Sequence, residues 1–132
     1  MTTLIEKRAI KYLLSKYKNG RYSFHDKNSK ACYDLLMHDK KKQKTFKIEL
    51  KSTKGKYSKN SDIFQQLYFS KKDEVINFQK GRTKIIRIFL GNNPPKVFLL
   101  SNDILKNGAK FEREYRSKLN GTKNYEKIRC IS

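Results

Sequence analysis

The residues of this chain whose types and spacing could do chemistry are a carboxylate and an ammonium two positions apart. Glu49 and Lys51 lie in the run 45–53, where polar and apolar residues alternate. That alternation is typical of a strand with one buried face, so Glu49 and Lys51 are expected to share the other face. Such a pair can act together on one phosphate group. With a second carboxylate it can hold a hard divalent cation and activate a water molecule.

The second carboxylate is Asp34, fifteen residues before Glu49. Residues 31–38 are predicted to form the preceding strand and residues 39–44 the connecting loop. If the residues that flank this loop pair antiparallel, Asp34 lies opposite Glu49 with the Cβ atoms about 4.5–5.5 Å apart. Two carboxylates so placed repel each other unless a cation lies between them. The prediction depends on loop length, because a slip of one residue moves every side chain to the other face.

The composition is strongly basic, with 32 Lys and Arg residues against 12 Asp and Glu residues and a net charge of +20. Such an excess favours a polyanionic partner, because each neutralised phosphate releases condensed counterions. Nucleic acid is the obvious polyanion to cut. The alternative is a generally lysine-rich composition, since 25 of the 32 basic residues are lysine.

Lysines cluster at the predicted hairpin beside the candidate site and continue after its second strand. As phosphate contacts they would supply salt-dependent affinity without reading the base sequence. The alternative for any one of them is a solvated, charged turn. The hairpin group is Lys40, Lys41, Lys42, Lys44 and Lys47, and the group that follows the strand contains Lys54 and Lys56.

Length and residue usage exclude several classes. A chain of 132 residues is expected to form a single domain, 1–132, with one modest core. No apolar run approaches the ~20 residues of a membrane span, so no membrane partner is expected. The N-terminus has no secretory apolar segment, which predicts a cytoplasmic protein. Two cysteines and two histidines are too few and too isolated for a disulfide scaffold or a zinc site.

The elements that must position these residues follow from apolar spacing and turn signals. We expect an α/β fold in which a mixed sheet is flanked by helices on both faces. The predicted helices are 4–17, a short turn at 61–66, 70–81 opened by a capping box, and 109–119. Besides the two strands above, the predicted strands are 21–25, 67–69, 84–90, 96–100 and a tail strand within 125–131.

This order of elements, with Asp34 on one strand and Glu49-Leu50-Lys51 on the next, resembles the PD-(D/E)xK nuclease superfamily over residues 4–105. The resemblance implies a restriction-endonuclease-like core. Within the superfamily the segments are most similar to the archaeal-type Holliday-junction resolvases, through 5–8, 33–36, 48–53 and the later run 67–89. The chain also resembles the nuclease-like domains attached to large ATPases and restriction systems, which share Tyr-Asp-Leu and Glu-Leu-Lys-Ser-Thr.

The resemblance implies that Asp34, Glu49 and the backbone carbonyl of Leu50 hold Mg²⁺, with Mn²⁺ as a substitute. Lys51 would orient or deprotonate the attacking water and stabilise charge in the transition state. Mg²⁺ suits this set, because it takes near-octahedral oxygen ligands from one or two carboxylates, waters and a substrate phosphate. The alternative is an ordinary solvated ion pair across two strands.

Three further residues are candidates by resemblance. Glu6 matches an acid of the early helix in the family, but Thr3 to Glu6 is also a capping box in which Glu6 would satisfy a backbone donor. Gln66, or its neighbour Gln65, occupies the place of a superfamily glutamine. Ser29 lies near the place of a serine found in the resolvases and is a candidate nucleic-acid contact.

The function expected from the resemblance is a Mg²⁺-dependent DNA endonuclease that leaves a 5′-phosphate and a 3′-hydroxyl. Branched DNA is the first expected substrate, cut by a homodimer during DNA recombination. The alternatives are a restriction or defence nuclease on duplex DNA and a noncatalytic, basic nucleic-acid-binding module with the same fold. An RNase has weaker support, since no residue pattern here reads the 2′-hydroxyl.

Overall fold

The computed structural model describes residues 3–17, 20–27, 33–112, 117–121, 125 and 127–132. Regular secondary structure in these ranges comprises two helices and nine strands, with short 3₁₀ turns at Asn60–Phe64 and Asn102–Asn107. The helices are α1 (Leu4–Lys16) and α2 (Lys72–Gln79). The strands are β1 (Tyr22–Asp26), β2 (Leu35–Asp39), β3 (Lys44–Thr53), β4 (Tyr68–Phe69), β5 (Thr83–Phe89), β6 (Lys96–Leu100), β7 (Lys110–Phe111), β8 (Ser117–Asn120) and β9 (Arg129–Cys130).

Six strands form one mixed sheet in the order β1-β2-β3-β5-β6-β9. The central pair, β3 and β5, runs parallel, and all other neighbours in this sheet run antiparallel. A parallel pair needs a crossover connection, and here the crossover contains α2. A second, three-stranded sheet has the order β4-β8-β7. The predicted α/β architecture with a mixed sheet flanked by helices is therefore confirmed.

The large sheet is covered on both faces, because successive residues of its central strands point to opposite sides. Ala9 and Leu13 of α1 pack on one face, and Val75 and Phe78 of α2 pack on the other. Buried on the α1 face are Tyr22, Phe24, Leu35, Met37, Ile48, Leu50, Ile86, Ile88 and Val97. Buried on the α2 face are Ile63, Phe64, Leu67, Phe69, Ile85, Phe89, Phe98, Leu100, Ile104, Ala109 and Leu119.

The helix predicted at 4–17, the strand at 45–53 and the strand at 96–100 are confirmed as α1, β3 and β6, with ends that differ by at most one residue. The register of the β2–β3 hairpin is also as predicted, with His38 opposite Thr45. The turn is shorter than expected, because Asp39 and Lys44 pair as well. Among the described helices, none is long and apolar enough to span a membrane.

Two predictions about secondary structure were wrong. The described residues of the predicted helix 109–119 include β7 and the start of β8, which pair through Phe111 and Leu119. The Leu119 N–H also donates to the Leu67 carbonyl at 3.0 Å, so pairing with distant residues outweighs a weak local helical pattern. The second error is the predicted capping box, which would place Ser70 at the N-cap of α2. The N-cap residue is Lys71, and its side chain makes no capping hydrogen bond.

Candidate active site

A cavity of about 670 Å³ lies between the start of α1, β3 and the crossover that leads into α2. It brings together every residue predicted to be catalytic or metal-binding. These are Glu6, Asp34, Glu49, Leu50, Lys51 and Gln66. The cavity is also lined by Thr3, Ile5, Lys27, Tyr33, Ser52, Tyr68, Ser70, Lys71, Asp73, Glu74, Asn77 and Arg87.

Asp34 lies one residue before β2 and is fixed to β3 by two hydrogen bonds. Its N–H donates to the Ile48 carbonyl at 2.9 Å, although the register partner of Ile48 is Leu35. Its carboxylate Oδ2 accepts the Leu50 N–H at 2.7 Å. The second strand therefore begins later than predicted, but Asp34 still lies beside Glu49. Residues 28–32 lie outside the described residues. They include the predicted nucleic-acid contact Ser29 and the first two residues of the predicted strand 31–38.

The Leu50 carbonyl faces the side of β3 on which the Asp34 carboxylate lies. The Leu50 N–H faces the β2 side, where it meets Asp34. In a strand the N–H and C=O of one residue point to the same side, so the Leu50 carbonyl also faces that side. Since β2 ends its pairing at Leu35 opposite Ile48, the carbonyl lies beyond the end of the β2 ladder.

Lys51 is held by two carboxylates and an aromatic ring. Its Nζ lies 3.1 Å from Glu74 Oε1 and 3.6 Å from Glu49 Oε1. The same Nζ is 4.6 Å from the centre of the Phe69 ring. The side chains of Lys51, Glu49 and Glu74 are only 12–15% exposed. Ser70 Oγ donates to the other oxygen of Glu74 at 3.1 Å, so the contact between α2 and Lys51 is fixed at both oxygens.

The carboxylates of the cavity perturb one another. Burial, followed by repulsion from Asp34 and a hydrogen bond with Glu74, raises the pKa of Glu49 to about 9. Burial and then Asp34 also raise the pKa of Glu6. Burial alone would raise the pKa of Glu74, but the hydrogen bond with Glu49 and the Lys51 ammonium lower it. Burial and Asp34 therefore favour the protonated form of Glu49, and the Lys51 ammonium favours the ionised form of Glu74.

The donor set fits a hard divalent cation. Among the described residues, no three or more His, Cys, Asp and Glu side chains form a ready-made metal cluster. Two carboxylates and a main-chain carbonyl are nevertheless what Mg²⁺ takes from a protein when it keeps several waters and a substrate phosphate. A cation between Asp34 and Glu49 would also remove the repulsion that contributes to the raised pKa of Glu49.

The structure separates the alternatives for Glu6 and for the glutamines. Thr3 Oγ1 accepts the Glu6 N–H at 3.1 Å and caps α1, while Glu6 lines the cavity. Gln66 lines the cavity with φ of 53°, a left-handed conformation that is uncommon without glycine. Gln65 does not line the cavity, and its carbonyl accepts a hydrogen bond from Arg87. Glu6 and Gln66 therefore remain candidates by position.

The predicted lysine cluster does not lie beside the cavity. Its members Lys40, Lys41, Lys42 and Lys44 are exposed at the start of β3, at least about 17 Å along the strand from Glu49 at ~3.3 Å per residue. Lys47 is nearer, with Nζ 5.5 Å from the ring of Tyr33, which lines the cavity. Lys54 and Lys56 are exposed after β3 and do not line the cavity either. Alternation gave the faces of the hairpin correctly, but its turn lies at the opposite end of β3.

Sequence reasoning missed five charged residues of the cavity, namely Lys27, Lys71, Asp73, Glu74 and Arg87. A signal for Glu74 exists, because it precedes the inward residue Phe78 by four positions and so lies on the same helix face. A signal for Arg87 also exists, because it interrupts the apolar run 85–89 of a core strand. No comparable pattern marks Lys27 or Lys71.

The family model described as Protein NO VEIN, C-terminal, matches residues 5–98. The matched span includes all six cavity residues predicted from the sequence. That family is associated with a restriction-endonuclease-like, nuclease-type fold. Comparisons with curated proteins and with solved structures gave no match. Because the matched span covers well over half of the chain, the chain belongs to the family of the Protein NO VEIN C-terminal domain.

Proposed function

We propose that this protein is a metal-dependent DNA endonuclease with a site of the PD-(D/E)xK type. The observation that carries the proposal is that Asp34, Glu49 and Lys51 line one cavity, in which burial and Asp34 raise the pKa of Glu49 to about 9. Closely spaced, buried carboxylates cost stability in the absence of a cation. Perturbed groups of this kind in a cleft are typical of functional sites.

Asp34, Glu49 and the Leu50 carbonyl would hold Mg²⁺ or Mn²⁺. When bound, the ion supplies positive charge that polarises the phosphodiester and favours ionisation of water. The protein's part is to keep its ligands fixed. The Leu50 N–H orients the Asp34 carboxylate, and the hydrogen bond to Glu74 orients Glu49.

Lys51 would orient or deprotonate the attacking water and stabilise the charge that develops on the phosphate. Its Nζ position is set by Glu74 at 3.1 Å and Glu49 at 3.6 Å. Glu74 therefore acts as a positioning residue that connects α2 to Lys51. Glu6 and Gln66 line the same cavity, where they would contact the reacting groups or the water around them.

Nucleic acid is the proposed substrate class because the net charge is +20, and DNA in particular is supported by the sequence resemblance. The finer proposals of a branched, Holliday-junction substrate and of a homodimer are supported by the sequence resemblance alone. A restriction or defence nuclease on duplex DNA is the second candidate, supported by the association of the family with a restriction-endonuclease-like fold.

The proposal is tested by incubating purified protein with four-way junction, linear duplex, single-stranded DNA and RNA, each with Mg²⁺, Mn²⁺ or EDTA. We expect metal-dependent cleavage that Glu49→Ala and Lys51→Ala each reduce by about 10³-fold or more, as for groups that act in the transition state. The exposed residues Glu112 and Lys96 supply matched controls, since Glu112→Ala and Lys96→Ala should cleave like the wild type.

The outcomes separate the alternatives. Preference for the four-way junction supports the resolvase-like substrate, and sequence-specific duplex cleavage supports the restriction or defence nuclease. If only RNA is cleaved, the substrate is RNA and the proposal of DNA is wrong. Binding without cleavage under every metal would contradict the catalytic proposal and leave a basic nucleic-acid-binding module.

A further inference from the structure

One buried cation of the cavity takes no part in the mechanism above. Arg87 lies near the middle of β5, where it pairs in register with Lys51 of β3. It is only 4% exposed, yet it contributes to the cavity lining. Its Nη2 donates to the Gln65 carbonyl at 2.7 Å, and its guanidinium lies 5.1 Å from the centre of the Phe89 ring.

The guanidinium of Arg87 has incomplete hydrogen bonding. Its Nε is buried and has no hydrogen-bond partner in the part of the chain that the structure describes. The ion pairs within that part join Arg21 to Asp39 and Lys51 to Glu49 and Glu74, so Arg87 has no acidic partner there. The nearby acidic side chains, Glu49 and Glu74, contact Lys51 instead.

A buried charge without a counter-ion carries a large desolvation cost. That cost is visible in the pKa of Arg87, which burial lowers to about 10. At neutral pH the guanidinium remains charged and presents an unused N–H donor in a low-dielectric site. An anion with planar or tetrahedral oxygens would supply both the missing acceptor and the missing negative charge.

We infer that Arg87 is an anion-binding residue that holds a phosphate group of the substrate against β5, through its free Nε–H. Arg87 and Lys51 are register partners on strands about 4.8 Å apart, and both line the same cavity. Identifying it as a nucleic-acid phosphate rests on the proposed nuclease function. Binding of phosphate as such depends only on the Arg87 site.

The competing interpretation is that Arg87 merely ties the 65–67 segment to β5. The bond from Nη2 to the Gln65 carbonyl fits that role, but it leaves the buried Nε without a purpose. A purely structural arginine would therefore be insensitive to phosphate, whereas a binding residue would respond at Nε itself.

The test follows the Arg87 Nε–H resonance in ¹H–¹⁵N spectra of the whole chain, in EDTA, during titration with inorganic phosphate. Sodium chloride at matched ionic strength is the control for general screening. We expect phosphate, and a 5′-mononucleotide, to shift the resonance to a saturable endpoint and to raise the melting temperature. A short DNA oligonucleotide should do so at lower concentration, since further phosphates contact other cations.

Variants sharpen the test. Arg87→Gln should weaken phosphate binding by about tenfold or more, because a charge-assisted donor is lost. Arg8→Gln removes the same charge from an exposed helix position and should bind phosphate like the wild type. If Arg87→Gln does not fold, assignment of the wild-type resonance by backbone-to-side-chain correlation keeps the titration decisive.

An Nε–H resonance unmoved by phosphate, mononucleotide and oligonucleotide would overturn the inference, as would unchanged phosphate binding by folded Arg87→Gln. Because no metal and no turnover are involved, failure of the nuclease proposal leaves this readout intact. Phosphate binding at Arg87 without DNA cleavage would keep the anion site and remove the catalytic role.

Discussion

The two faces of the central strand pair β3–β5 differ sharply, although they are built from alternating residues of the same backbone. On the face toward α1, the buried residues of this pair are apolar and at most 3% exposed. The opposite face places charged side chains among apolar ones, beneath α2. Toward α1 point Ile48, Leu50, Ile86 and Ile88, and toward α2 point Glu49, Lys51, Ile85, Arg87 and Phe89.

This difference indicates that one face supplies stability and the other holds a site. Each Å² of apolar surface removed from water stabilises the fold by about 25 cal/mol, and the four strand residues Ile48, Leu50, Ile86 and Ile88 bury no charge that would offset that gain. The α2 face instead buries Glu49, Lys51 and Arg87, whose desolvation costs stability. Rigid strands whose other face is fully packed can hold these charged groups in fixed positions.

The largest expected effect on stability comes from the apolar face. Ile86 is fully buried there, so Ile86→Ala should lower the free energy of unfolding by about 2–5 kcal/mol, through lost burial and a cavity. Urea unfolding measures this change. Cleavage by the folded fraction at low temperature should stay close to the wild-type rate, because Ile86 points away from the cavity.

A loss below about 1 kcal/mol for Ile86→Ala, or a selective loss of cleavage in fully folded protein, would contradict this division between the faces. Ile131 offers a matched control, since it is only partly buried at the rim of the same cluster. Ile131→Ala should therefore cost less than Ile86→Ala.

The next effect concerns the charged face. Glu74→Gln keeps the size of the side chain but removes the negative charge 3.1 Å from Lys51 Nζ. On the proposed function, kcat should fall by about 10- to 100-fold, as when a positioning contact is lost, with little change in KM. The free energy of unfolding should change by less than about 1 kcal/mol.

The matched control for Glu74→Gln is Glu112→Gln, at an exposed acid outside the cavity, and it should leave kcat unchanged. Steady-state kinetics over a range of substrate concentrations separates kcat from KM. An effect on KM alone would show that Glu74 influences substrate binding rather than Lys51.

Much of the site could be predicted from the sequence because its parts are close along the chain. Alternation indicated which face of β3 holds Glu49 and Lys51, and the hairpin register was predicted correctly from Leu35 to His38. Asp34 lies one residue before β2 and reaches the site through its hydrogen bond with the Leu50 N–H. Glu74 and Arg87 were missed because they approach Lys51 only through the parallel β3–β5 pairing and the α2 crossover. Those contacts span a long stretch of chain, and no local pattern specifies them.

The fold shows the same limit. Elements with strong periodicity, such as α1 and β6, were predicted with nearly correct ends. The segment 109–119 was predicted as a helix because its pairing with β4 and within β7–β8 is not encoded by local spacing. The lysine hairpin was assigned to the site because it adjoins β3 in the sequence. The sequence does not show which end of β3 faces the cavity, and the hairpin lies at the other end.

The smallest effect is a gain in stability from the charged face. Glu49 has a pKa of about 9 in the fold and 4.5 as its ordinary value. Between these values the unfolded chain has lost this proton and the folded chain keeps it, so the wild type becomes less stable as pH rises through the window. In Glu49→Gln the side-chain amide does not titrate, and it mimics the protonated acid beside Glu74. We expect Glu49→Gln to be more stable by about 1–2 kcal/mol above neutral pH.

Urea midpoints at pH 5, 7 and 9 in EDTA would measure this gain, which should grow across the series and be absent from Glu112→Gln. A urea midpoint for Glu49→Gln at or below that of the wild type at pH 9 would show that the fold does not raise the pKa of Glu49. Adding Mg²⁺ at pH 8 gives the complementary result. The cation should raise the midpoint of the wild type and leave that of Glu49→Gln unchanged, because only the carboxylate releases a proton to bind it.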